Sequence, residues 1–149
     1  MSDITIRPLV SADRAAWTPL WRDYLAFYKT TLPDAIYDHS FARLTGSDPS
    51  MGGFIAERDG QAIGIVHWVL HRTFWSEKDM CYLQDLFTAE TARGSGAGRK
   101  LIGAVKRKAA ELGCLRVYWQ THQSNTRAQA LYDTLAERSG FIVYRQALD

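Results

Sequence analysis

Cysteine is scarce in this chain: Cys81 and Cys114 are the only two, with no Cys-x-x-Cys pair near them. That excludes a disulfide framework and a thiolate zinc site. The four histidines, His39, His67, His71 and His122, show no zinc-ligand spacing either, so no metal is expected. Charge of one sign is also lacking. Eighteen Lys and Arg against sixteen Asp and Glu leave +2, too slight to attract a nucleic acid or a membrane surface. No apolar run approaches the ~18 residues of a membrane span, and residues 1–8 lack a basic segment followed by a long apolar one, so a cytoplasmic location is expected. What is abundant is aromatic: five Trp, seven Tyr and six Phe in 149 residues. At this length roughly two thirds of the unfolded surface can be buried, enough to house them in one domain spanning residues 1–149.

Ile4, Ile6 and Pro8 predict a short first strand, then a helix that Ser11 can cap and whose positive end Asp13 complements. Trp17, Leu20, Trp21, Tyr24, Leu25 and Tyr28 recur at i, i+3, i+4, i+7, i+8 and i+11, one apolar stripe on a helical face. Such a stripe is first of all core, though its last turn could border a pocket. A second helix is expected over about 34–44. Beyond a turn at 46–50, strands are expected over 54–57, 62–70 and 80–88, the first two joined by the hairpin signal Asp59-Gly60. A helix over 101–112, a strand over 115–121, a helix over 125–138 and a last strand over 141–145 complete the order βααβββαβαβ. Hairpins followed by a βαβ crossover predict an α/β fold with a mixed sheet and helices on both faces.

The most informative stretch is Arg93-Gly94-Ser95-Gly96-Ala97-Gly98-Arg99-Lys100, between a strand and a helix. Glycine lets successive N–H groups turn toward one concave site, and a helix N-terminus adds partial positive charge, so phosphate or pyrophosphate is the natural ligand. A merely flexible turn is the bland alternative. A Walker loop would need Gly-Lys followed by Ser or Thr, whereas Lys100 follows Arg99 and precedes Leu101. A dinucleotide fingerprint needs GxGxxG, and Gly94, Gly96 and Gly98 alternate instead.

The pattern that fits is Q/R-x-x-G-x-G/A, with Arg93 first and Gly96 and Gly98 as its glycines. It resembles the pyrophosphate-binding motif of the GNAT superfamily of acetyl-CoA-dependent N-acetyltransferases. Further matches follow in that family's order: the strand Tyr82-Leu83-Gln84-Asp85-Leu86-Phe87-Thr88, Asn125 with Tyr132 seven residues later, the Ile6-Arg7-Pro8 start and the Gly140-Phe141 pair. The likeness spans nearly the whole chain and is greatest to the small enzymes that acetylate polyamines, histone tails or other primary amines. At Gln84, where polyamine enzymes usually carry Glu, this sequence has a carboxamide, which cannot accept a proton.

The resemblance implies a central mixed sheet of six or seven strands and acetyl-CoA as cosubstrate, without metal. It implies that the backbone N–H of Leu86 faces the thioester oxygen and that Phe87 and Thr88 hydrogen-bond pantetheine like an added strand. It places the pyrophosphate on Gly94, Ser95, Gly96, Ala97 and Gly98, with Arg93, Arg99 and Lys100 as charged contacts. Tyr132 would protonate the leaving thiolate, and Asn125 would hold pantetheine or the start of its helix. Asp85, read by alternation as sharing a face with Leu83 and Phe87, must be paired, hydrated or functional, and substrate or proton relay stands beside a structural ion pair. His67 and His122 could relay protons but read first as ordinary polar residues and are left unassigned, and Lys106, Arg107 and Lys108 read as a solvated face. No Cys or Ser sits in a nucleophile motif, so the amine would attack directly. The partner would be a small-molecule amine or a lysine-containing peptide, with the acceptor walled by residues 28–44, and a homodimer would form if the tail after Phe141 leaves a sheet edge. A non-catalytic acyl-CoA-binding module is the alternative.

Overall fold

A computed structural model describes residues 3–148. Met1, Ser2 and Asp149 lie outside the described residues, and with them part of the expectation about residues 1–8. The chain divides into two compact units, Met1–Trp119 and Gln120–Asp149.

In the first unit the elements are β1 (Thr5–Pro8), α1 (Arg14–Phe27), α2 (Asp34–Thr45), β2 (Met51–Arg58), β3 (Gln61–His71), β4 (Met80–Thr88), α3 (Ala97–Glu111) and β5 (Arg116–Tyr118). The sheet runs β1-β2-β3-β4-β5. The first four strands are antiparallel neighbours, and β5 joins β4 in parallel after the α3 crossover. The expected mixed sheet is therefore present, with five strands rather than six or seven among the described residues. Asp59 and Gly60 both have positive φ, 54° and 76°, the primed turn that a two-residue hairpin needs.

The aromatic stripe of α1 buries Trp17, Leu20, Trp21 and Leu25, with Tyr37 and Phe41 of α2, against Ile55 and Ile65 of the sheet. On the other face α3 buries Leu101, Ile102 and Val105. Leu101 approaches so closely that a Cβ on Gly64 would lie 3.0 Å from its Cδ1. Ser11 does not cap α1. It opens a single 3-10 turn, and Asp13 takes the capping position, accepting Val10 N–H at 2.8 Å while its two oxygens grip Arg7 at 2.7 and 2.8 Å.

The second unit holds one helix, α4 (Thr126–Tyr132). It stops short of Arg138 because both the N–H and the hydroxyl of Thr134 bond Leu131 O, at 3.0 and 2.6 Å, occupying the carbonyl the next helical N–H would use. The expected last strand at 141–145 does not form: a strand exists through a partner, and this segment has no ladder with any described strand. Its apolar side chains are exposed accordingly, Phe141 at 85% and Tyr144 at 89%.

Candidate active site

The site begins with an irregularity in β4. His67 of β3 pairs with Asp85, and the next rung joins Trp68 to Leu83, so Gln84 is an extra residue, a β-bulge. Cross-strand partners share a face. Tyr82 (opposite Val69), Asp85 (opposite His67) and Phe87 (opposite Ile65) thus lie on the α1 face, and Leu83 (opposite Trp68) on the α3 face. Simple alternation had put Leu83 beside Asp85; the bulge separates them. Gln84 itself is exposed.

Four side chains from three elements then form one chain of hydrogen bonds. Trp17 Nε1–H donates to His67 Nε2 at 3.0 Å, His67 Nδ1 stands 3.0 Å from Asp85 Oδ2, and the Tyr24 hydroxyl donates to Asp85 Oδ1 at 2.8 Å. An indole nitrogen can only donate, so Nε2 of His67 must accept and its proton sits on Nδ1, pointing at Asp85. The imidazolium form would set two N–H groups against each other. Asp85 is therefore held by two donors, one per oxygen, with its side chain 14% exposed. His67, 5% exposed, is the residue of this hydrogen-bond chain that the sequence left unassigned; its signal is a histidine inside an otherwise apolar strand.

Phenols surround this carboxylate. Burial, then the charge of Asp85, pushes the Tyr24 hydroxyl well above the usual phenol range. Tyr28, 5.1 Å from Tyr24 ring to ring, is raised by the same two causes, and Tyr82 is raised by burial, Tyr118 and Asp85. Tyr82 stacks on Tyr118 at 4.9 Å, and the Tyr118 hydroxyl meets His71 Nε2 at 2.8 Å. Aromatic rings thus cluster around one carboxylate.

β5 pairs only with Met80–Tyr82, so residues 83–88 of β4 have no strand neighbour on that side among the described residues. Ala89 N–H bonds Ile63 O at 2.8 Å, which fixes the phase of the β3–β4 ladder. The main-chain groups of Asp85 and Phe87 face β3, and those of Leu86 and Thr88 face the open edge. Phe87 instead brings its ring to 6.3 Å from that of Tyr24.

The glycine loop follows directly. Gly94 and Gly96 adopt φ of 81° and 92°, and Gly96 caps α3, so the helix starts at the glycines. The first-turn N–H groups of a helix lack intrahelical partners; here Ser95 Oγ reaches that of Ala97 at 3.4 Å. Arg93, Arg99 and Lys100 are exposed. The Arg93 guanidinium lies 6.0 Å from the Phe27 ring, and Lys100 Nζ reaches Ile4 O at 3.5 Å. In the second unit Asn125 is the N-cap of α4, its side chain accepting Ala128 N–H at 3.3 Å. Tyr132 ends that helix, half-buried. Cys81 is buried and its thiol is pushed up to about 12 by burial and by Cys114, which unsuits it as a nucleophile.

A bulged strand with an open edge runs here into a glycine-capped helix whose first-turn N–H groups are turned outward. The chain belongs to the acetyltransferase (GNAT) family, whose model matches residues 15–136. It is 37% identical over 145 residues to the D-amino-acid N-acetyltransferase HPA3 of Saccharomyces cerevisiae, covering 96% of this chain and 90% of that protein. It is 32% identical to the uncharacterized N-acetyltransferase YhfO of Bacillus subtilis, over 95% of each. Among solved structures, the aminoglycoside acetyltransferase AAC(6')-Iy in complex with a CoA-S-monomethyl-acetylneamine bisubstrate analog superposes with a TM-score of 0.84 at 24% identity, covering 99% of this chain and all of that one, 100%.

Proposed function

We propose that the chain transfers the acetyl group of acetyl-CoA to the primary amine of a small molecule, free amino acids foremost, by direct attack. The observation that carries this reading is the Asp85 carboxylate, hydrogen-bonded by the Tyr24 phenol and next in sequence to Leu86, whose N–H faces the open edge of β4. An alkyl amine with pKa near ~10 arrives protonated at neutral pH. A buried carboxylate among aromatic rings suits that cation through charge and ring faces together. Acetyl-CoA would lay its pantetheine along the open edge, with the thioester oxygen on Leu86 N–H and the pyrophosphate on the amides around Gly96 and Gly98. Tyr132 would return a proton to the departing thiolate, and Asn125 would set the start of its helix. Because the family match crosses both units, residues 1–149 are read as one acetyltransferase domain.

The kinship with a D-amino-acid N-acetyltransferase supports amino acids as acceptors. CoA release should be followed with amino acids of both hands, polyamines, aminoglycosides and lysine peptides. The highest kcat/KM is expected with amino acids. Tight acetyl-CoA binding without CoA release from any amine would instead make the chain an acyl-CoA-binding module.

A further inference from the structure

Resting on that reading, we propose that Tyr24 is the proton relay between the acceptor amine and Asp85. The carboxylate is poorly accessible: its side chain is 14% exposed, His67 Nδ1–H occupies Oδ2 and the Tyr24 hydroxyl occupies Oδ1. Tyr24 is half-buried, and its hydroxyl is the group that covers Oδ1 of Asp85. It gives its one proton to Oδ1, which leaves the lone pairs of Oη as the acceptor that an incoming N–H would meet. The ring cannot swing away, since it stacks on Trp21 at 5.1 Å and meets Phe87 edge-on at 6.3 Å. His67 cannot compete for the proton, because its one basic nitrogen is closed by Trp17.

The step balances as follows. An N–H bond of the acceptor ammonium breaks and its proton passes to Tyr24 Oη, while the Tyr24 O–H proton passes to Asp85 Oδ1. The freed nitrogen lone pair attacks the thioester carbon, and the C–S bond breaks with its electrons on sulfur. The second N–H proton leaves with the thiolate as CoA thiol, and the proton on Asp85 is returned to solvent. Tyr24 is neutral before and after, consistent with a hydroxyl that stays protonated throughout the working range. The groups facing this pair are His67 from β3, Tyr82 from β4 with Tyr118 of β5 behind it, and Tyr28 from α1.

Tyr24→Phe keeps the stacked ring and the Asp85 charge while cutting the relay. With an alkyl amine at pH 7 its kcat should fall about 10²-fold with little change in amine KM. The deficit should shrink toward none as pH passes the acceptor's own pKa, near ~10, and with methoxyamine, already neutral at pH 7. A deficit equal at every pH and for both acceptors would reduce Tyr24 to packing, and no deficit would remove it from the reaction. If the wild type itself releases no CoA with any amine, the acetyltransferase reading fails rather than the relay alone.

Discussion

Replacing Asp85 by Asn separates what this residue does for the fold from what it does for the acceptor. The introduced carboxamide has one acceptor oxygen where the carboxylate has two. Trp17 fixes the His67 proton on Nδ1, so that oxygen must turn to His67 and the amide nitrogen to Tyr24 Oη, forcing the Tyr24 proton elsewhere. Two charge-assisted hydrogen bonds at 3.0 and 2.8 Å become neutral ones. At roughly 1.5–3 kcal/mol against roughly 1 kcal/mol each, and with desolvation of the charge relieved, the net loss is about 1–2 kcal/mol, or a Tm lower by about 3–6 °C. Binding loses more in relative terms. An ammonium about 5 Å from the carboxylate, at an effective dielectric constant of about 40, is held by roughly 1.7 kcal/mol, so amine KM should rise roughly 10- to 30-fold, and with no carboxylate to take the relayed proton kcat at pH 7 should fall about 10²-fold, as in Tyr24→Phe. Acetyl-CoA affinity, measured by calorimetry, should be unchanged. Initial rates at saturating acetyl-CoA and a melting curve on the same preparation decide the matter. A lowered Tm with unaltered amine kinetics would show that Asp85 only anchors α1 to the sheet.

Gly96→Asp should weaken acetyl-CoA binding about tenfold or more: a Cβ there meets no protein atom within 4 Å, so the cost comes from φ of 92° and from a negative charge facing pyrophosphate. Calorimetry should show the loss in a folded variant. Tyr132→Phe should lower turnover about 10²-fold with Tm and acetyl-CoA affinity retained if its hydroxyl protonates the thiolate; equal turnover would make it a packing residue. Arg7→Met leaves the Asp13 carboxylate buried beside one backbone N–H. It should cost on the order of 2 kcal/mol at neutral pH, less than a fully buried pair because Arg7 is 40% exposed. The Arg7 contact holds the Asp13 pKa below its ordinary value, so its stabilisation is present above pH ~4 and lost as pH falls through the lowered folded pKa. The gap between variant and wild type should therefore close in acid denaturation series.

What was legible in the sequence follows from how local each signal is. The 3.6-residue period of Trp17 to Tyr28 needs only a helix to be read, and residues 80–88 form the strand that their composition predicts. The glycine loop was legible because backbone conformation is written directly into glycine; Gly96 caps α3 as its position before the apolar run suggested. The contact between Trp17 and His67, fifty residues apart, carries no local trace. The segment at 141–145 shows the converse: Phe141, Ile142, Val143 and Tyr144 have every local propensity for a strand and no ladder among the described residues. Propensity describes a surface that fits a sheet, and pairing decides whether it joins one.

The bulge at Gln84 explains why one strand can serve two faces. Cys81 and Leu83 are 1% and 3% exposed in the α3 core, whereas Asp85 and Phe87, of the same parity, face α1. Without the extra residue a single face would have to hold all four, and a carboxylate would lie among the side chains that pack on Leu101 and Val105, with no donor to satisfy it. With it, the apolar half of β4 fills one core and the second half presents Asp85 to His67 and Tyr24. The cost is one rung of the ladder, left where Gln84 meets solvent and its main chain can bond to water. The carboxylate and the open-edge N–H of Leu86 are thereby adjacent in sequence yet turned to different partners, one toward α1 and the other along the sheet. An amine and a thioester approaching from those two directions would meet at β4, where the slip in pairing turns one strand to both partners.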